Sequence, residues 1–128
     1  MKKTKMLKKN YEFKTVFNKG KVYRGKYIVA FIKKNNTNSN LLGIGISVKI
    51  AKATKRNHLK RLIRESYSYF EEKIENGNSI VFTCRKGTDI ENITYFDVKK
   101  DIEKILKKAQ VLNSKKEEKN EKNIDMAN

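Results

Sequence analysis

The sequence predicts an α/β fold: a central mixed sheet with helices packed on it in two layers, in the order α-β-β-β-α-β-α. Three observations predict it. Apolar residues recur at helical spacing along Leu59, Leu62, Ile63, Tyr67 (or Ser66), Phe70 and Ile74, and again along Val98, Ile102, Ile105, Leu106 and Ala109. Two runs, Tyr27–Ile32 and Ser79–Arg85, are apolar enough to be strands covered on both faces. A strand, a helix and a strand follow one another from Leu41 to Arg85, the pattern of a β-α-β unit.

Met1–Lys5 reads as a basic, mobile arm. Asn10 caps a short helix carrying Phe13, Val16 and Phe17 on one face, and Gly20 stops it. Lys21–Lys34 reads as strand, with Tyr27, Val29 and Phe31 on one face and Ile28, Ala30 and Ile32 on the other. Asn35–Asn40 (NNTNSN) is a turn, because such side chains bond their own backbone. Leu41–Ser47 is the next strand, punctuated by Gly43 and Gly45. Thr54 caps the long helix, which runs to about Ile74 and is ended by Asn76-Gly77-Asn78. After Ser79–Arg85, Lys86–Ile93 is a loop. Thr94 with Asp97 makes a capping box for the last helix, with Asp in place of the usual Glu.

The 128 residues suit one domain over 1–112 and a polar tail over 113–128. Lys and Arg number 31 against 14 Asp and Glu, a net charge of +17. In the tail Lys115, Lys116, Lys119 and Lys122 offset Glu117, Glu118, Glu121 and Asp125, so the whole excess sits on the domain. The tail is expected to be disordered. Self-repulsion of this size opposes compaction, and a polyanion relieves it by counterion release. Nucleic acid is the first candidate partner and an anionic membrane surface the second. The membrane is disfavoured, because no amphipathic helix exposes an apolar face and no apolar run approaches a bilayer span. No hydrophobic signal region follows the basic N-terminus, so a cytoplasmic protein is expected. One cysteine, Cys84, and one histidine, His58, leave no internal disulfide and no His/Cys zinc set. Cys84 sits within a buried strand and reads as core.

The densest chemistry lies in Lys49–Arg64, KIAKATKRNHLKRLIR. It holds seven basic residues, Lys49, Lys52, Lys55, Arg56, Lys60, Arg61 and Arg64, and no acidic one. On a helix Arg56, Lys60 and Arg64 stack on one flank, with Asn57 and Arg61 in a parallel row. The stripe that starts at Leu59 buries the other side, leaving a rigid cationic ridge. Like charges four apart destabilise a lone helix by a few tenths of a kcal/mol per pair, and an RNA backbone along the ridge reverses that sign. The planar guanidinium bridges phosphate oxygens or stacks on bases. His58 reads as a surface residue near phosphates, since no partner for acid–base catalysis is in view. Aromatic residues make a second candidate site: Phe13 and Phe17 are four apart on the first helix, and Tyr27, Val29 and Phe31 share a strand face. Core packing explains them as sequence alone. Stacking of single-stranded bases in a basic groove is the sharper alternative.

KRNHLKRLIRE (Lys55–Glu65) resembles the signature of the bacterial ribonuclease P protein component, an Arg-Asn-Arg start followed by Lys-Arg and a further Arg one turn on. Arg56, Asn57, Lys60, Arg61 and Arg64 match; His58 stands where that family has Arg, and its mostly neutral imidazole supplies less charge. Leu7–Lys21 is similar to the family's first helix, with Phe13 and Phe17 at its two Phe positions. Gly43–Ala53 is similar to the stretch before the signature, matching at Ser47 and Lys49, with Val48 in place of a usual Lys. The likeness spans about Met6 to Lys108.

The resemblance implies an unusual left-handed β-α-β crossover carrying the basic motif, against the general right-handed preference. It also implies a ribonucleoprotein endonuclease that removes the 5′ leader of precursor tRNA. In it the catalytic RNA does the hydrolysis with Mg2+, so no protein-borne active site is expected. The implied partners are ribonuclease P RNA and precursor tRNA, with one protein per RNA. The implied RNA contacts are Lys49, Lys52, Arg56, Asn57, His58, Lys60, Arg61 and Arg64. The implied leader cleft is Phe13, Phe17, Val29 and Phe31. The competing expectation is a non-catalytic RNA-binding protein of ribosomal or regulatory type.

Overall fold

The computed structural model describes residues 3–113. The expected disorder of the tail therefore lies outside the described residues, Asn113 excepted. In chain order the elements are β1 (Thr4–Met6), α1 (Asn10–Lys19), β2 (Lys21–Arg24), β3 (Ile28–Lys34), β4 (Asn40–Ile44), α2 (Ala53–Phe70), β5 (Asn78–Cys84) and α3 (Tyr95–Lys108). The five strands form one mixed sheet in the order β1-β4-β5-β3-β2. β4 runs parallel to β1 and β5, while β3 is antiparallel to β5 and β2.

Alternation along the strands separates two faces. Ile28, Ala30, Ile32, Leu42, Ile80 and Phe82 join the stripe of α2 and the inner face of α3 in the main core. The centre of that core includes Leu59, Ile63, Tyr67, Phe82, Ile102 and Ile105, none of them more than marginally exposed. Each such side chain contributes about 1.5–3 kcal/mol by leaving water. Burial pushes the Tyr67 phenol up to about 12, and its hydroxyl bonds Thr4 Oγ1 at 2.8 Å. The opposite face carries a smaller cluster of Leu7, Val16 and Val81, with Phe13, Phe31 and Leu41 at its margin. α1 thus covers part of the second face and adds a partial third layer.

Several local expectations change. The N-terminal arm is not free from Thr4 onward: β1 extends the sheet beside β4. Lys21–Lys34 is two strands rather than one, because the chain turns at residues 25–27. Tyr27 precedes β3 and packs with the main core, so it does not share a face with Phe31. α1 is capped by Lys9 rather than Asn10, with Lys9 N donating to Glu12 Oε1 at 3.2 Å. α2 is capped at Lys52 rather than Thr54, and past Phe70 it tightens into a 3-10 turn over Glu71–Lys73. The Lys86–Ile93 loop contains another such turn, Ile90–Asn92. The predicted capping box is present: Asp97 N donates to Thr94 Oγ1 at 3.2 Å, and Thr94 N donates to Asp97 Oδ2 at 3.0 Å. The Thr94 backbone N–H holds the Asp97 carboxyl below its ordinary range.

The turn between β2 and β3 is held from far along the chain. Asp101 of α3 accepts from Lys26 N at 2.8 Å, Tyr27 N at 2.7 Å and Ile28 N at 2.8 Å. Gly25 is needed there, since a Cβ would lie 2.6 Å from Asp101 Cγ.

The crossover runs from β4 through α2 to β5. Phe82 turns its ring toward Tyr67 of α2, with centroids 6.4 Å apart. Its carbonyl turns toward the β4 side, accepting from Gly45 N at 3.0 Å. For an L-residue on a strand running upward with its side chain toward the viewer, the carbonyl points right. Seen from α2, β4 therefore lies to the right of β5. The chain rises through β4, crosses in front of the sheet and rises again to the left. The crossover is left-handed, as the resemblance implies and against the general preference.

Candidate nucleic-acid interface

Burial of Leu59, Leu62, Ile63, Tyr67 and Phe70 fixes the rotation of α2. What it leaves outward is the predicted ridge. Lys49, Lys52, Asn57, His58, Arg61 and Arg64 are exposed, and Arg56 and Lys60 are half-buried. The first turn of α2 holds no acidic residue. Its free N–H groups therefore add positive potential to Lys52, Lys55 and Arg56.

Two features of the ridge go beyond the spacing argument. Arg56 Nη1 donates to Ala51 O at 2.7 Å. Arg56 thus ties the crossover loop to α2 as well as adding charge. The ridge is also less free of acid in space than in sequence. Glu65 sits 3.8 Å from Arg61 Nε, and Glu91 reaches Lys55 Nζ at 3.8 Å from the loop after β5. Both pairs are solvent-exposed, contribute under about 1 kcal/mol, and open readily to a stronger anion.

The aromatic residues lie on the other face, beside α1. Phe17 and Phe31 pack edge to face with centroids 4.7 Å apart. Phe17 remains 38% exposed, so its ring is available to a stacking base. Val29 is buried beneath, while Phe13 packs over Gly43, where a Cβ would come within 2.6 Å of the ring. By exposure the four residues divide: Phe17 is exposed, Phe13 and Phe31 are half-buried, and Val29 is buried. Strand pairing brings in two residues that sequence reasoning missed. Val22 is opposite Phe31 and Arg24 opposite Val29. The alternation of KVYR carried that signal, but only the hairpin shows which face it joins.

The two regions connect. Val29 is opposite Thr83 of β5. Thr83 in turn lines a cleft of about 660 Å³ with Ser47, Lys49, Ile50, Cys84 and Lys86. The open sheet face thus runs from Phe17 and Phe31, past Val29 and Thr83, to Lys49 at the start of the crossover. Cys84 lines this cleft, and burial pushes its thiol up. Among the described residues no group of three His, Cys, Asp or Glu could hold a metal ion.

The family model described as Ribonuclease P matches residues 1–110. The chain belongs to the ribonuclease P protein family. The ribonuclease P protein component of Clostridioides difficile is 37% identical over 110 residues, covering 85% of this chain and 95% of that protein. That of Clostridium botulinum strain Langeland is 38% identical over 112 residues, covering 87% and 99%. The RNase P protein structures from Staphylococcus aureus and Thermotoga maritima superpose with a TM-score of 0.74 each. The first is 28% identical and covers 84% of this chain and 97% of its own; the second is 31% identical and covers 81% and 96%. Membership in the ribonuclease P family places the chain in a ribonucleoprotein endoribonuclease that processes tRNA 5′ ends. Among the described residues no helix is long and apolar enough to cross a membrane.

Proposed function

We propose that the protein is the RNA-binding subunit of a ribonuclease P holoenzyme, with one copy per catalytic RNA, acting in the cytoplasm. In this reading it holds the 5′ leader of precursor tRNA while the RNA subunit hydrolyses the phosphodiester bond. The observation that carries it is the continuous path from the exposed Phe17–Phe31 edge through Val29 and Thr83 to Lys49. One end of that path suits unpaired bases, and the other suits phosphates.

Each group has a role. Phe17 and Phe31 stack leader bases, on the support of Phe13 and Val29. Lys49, Lys52, Lys60, Arg61 and Arg64 contact phosphates. Arg56 contacts RNA and positions the crossover loop, Asn57 adds an amide donor and acceptor, and His58 adds an imidazole in reach of the same strand. Magnesium supplies metal-assisted hydrolysis when bound, and this reading assigns it to the RNA. The ridge is mostly ammonium and guanidinium groups, which are not metal ligands; Asn57 and His58 are its exceptions. The protein's part is to neutralise the phosphates of two RNAs that would otherwise repel.

Phe17→Ala tests the leader contact. It is expected to weaken precursor tRNA about tenfold at one stacked base, at about 1–3 kcal/mol per base, while mature tRNA changes little. Equal loss for both would make Phe17 a packing residue only. Paired binding titrations with the reconstituted holoenzyme give the comparison.

A further inference from the structure

We propose that a cleft at the β2 edge of the sheet binds the phosphates of single-stranded RNA and extends the leader path upstream; this rests on the leader reading above. The aromatic groove runs out where α1 ends at Lys19 and β2 begins at Lys21. Val22, 38% exposed and opposite Phe31, marks that margin. Around the β2 edge, on the opposite face where Tyr23 and Ile32 pack with the main core, lies a cleft of about 410 Å³ lined by Lys19, Lys21, Lys33 and Lys34 from α1, β2 and β3. That volume falls within the range of small-ligand sites. Half-buried Tyr23 lines the same cleft. An aromatic ring inside a cationic groove is the combination that single strands use.

The charge there is in excess of local need. Among the described residues the ion pairs are Lys55–Glu91, Arg61–Glu65 and Lys107–Glu103, and none involves these lysines. Glu75 also lines the cleft and offsets one ammonium. The C-terminal end of α3 lies alongside through Ala109 and Gln110. A helix end offsets only about half an elementary charge. Four ammonium groups against Glu75 and that dipole leave an excess of about +2.5. An RNA backbone would neutralise it.

The test uses the full-length protein reconstituted with its RNA subunit and precursor tRNAs of graded leader length. The variant is Lys19→Gln, Lys21→Gln, Lys33→Gln and Lys34→Gln combined, with Phe17→Ala in parallel. The wild type should gain affinity as the leader lengthens past the groove. In the lysine variant the ratio of long-leader to short-leader affinity should fall about tenfold, and the salt dependence for the long leader should flatten by about two units of log–log slope. An unchanged ratio, with Phe17→Ala still separating precursor from mature tRNA, overturns the cleft and leaves the function standing. An equal loss at every leader length also overturns it, and assigns the lysines to the RNA subunit. If Phe17→Ala fails to discriminate as well, the leader reading itself falls.

Discussion

Arg61→Ala combined with Arg64→Ala is expected to weaken binding of the catalytic RNA about tenfold or more at about 0.15 M salt. It should also flatten the log–log salt dependence by about one unit per lost phosphate contact. Both side chains are exposed on α2, and Arg61 has only the solvent-exposed Glu65 beside it. Removing them should leave stability within about 0.5 kcal/mol, since surface substitutions without buried partners rarely do more. Arg56→Ala should behave differently. Its guanidinium donates to Ala51 O, so its loss loosens the crossover loop as well as removing charge. Binding should fall by more than its own slope change accounts for. Titrations across a salt series separate the two. An unchanged slope in the Arg61/Arg64 variant would mean that the ridge faces solvent in the complex.

Asp101→Ala is expected to destabilise the fold by about 3 kcal/mol, lowering the melting temperature by about 10–20 °C. One carboxylate serves the N–H groups of Lys26, Tyr27 and Ile28, and the last of these bonds is fully buried. Without it those donors lose their acceptor, and water replaces it poorly at Ile28. Asp101→Asn keeps one oxygen and should fall between the two. Thermal unfolding followed by circular dichroism reads the effect. A shift below about 2 °C would show that the turn is held by strand pairing alone.

The contrast between these sites shows which parts of the protein were legible in sequence. The stripe of α2 repeats every three to four residues, so its buried side and its ridge followed directly from spacing. β5 and the Thr94–Asp97 capping box were equally local signals, and both are present. The turn at Gly25 was not legible, because it depends on a carboxylate that lies 75 residues after Lys26. β1 was hidden for a similar reason: its three residues (Lys5 among them) become strand only by pairing with β4. At the site, the residue types were readable but their grouping was not. Val22 and Arg24 reach the aromatic edge only once the hairpin sets their register. The left hand of the crossover lay outside any periodicity argument and came from resemblance, then from the geometry of Phe82.

In the proposed function the cationic crossover and the aromatic edge assist an RNA catalyst rather than replace it, and one measurement tests that most directly. Cleavage of precursor tRNA is followed at limiting magnesium with the protein alone, the cognate RNA alone, and the two together. The predicted result is no cleavage by the protein alone, and cleavage at the leader junction by the pair at magnesium levels where the RNA alone is slow. Leader removal by highly purified, RNA-free protein would contradict it.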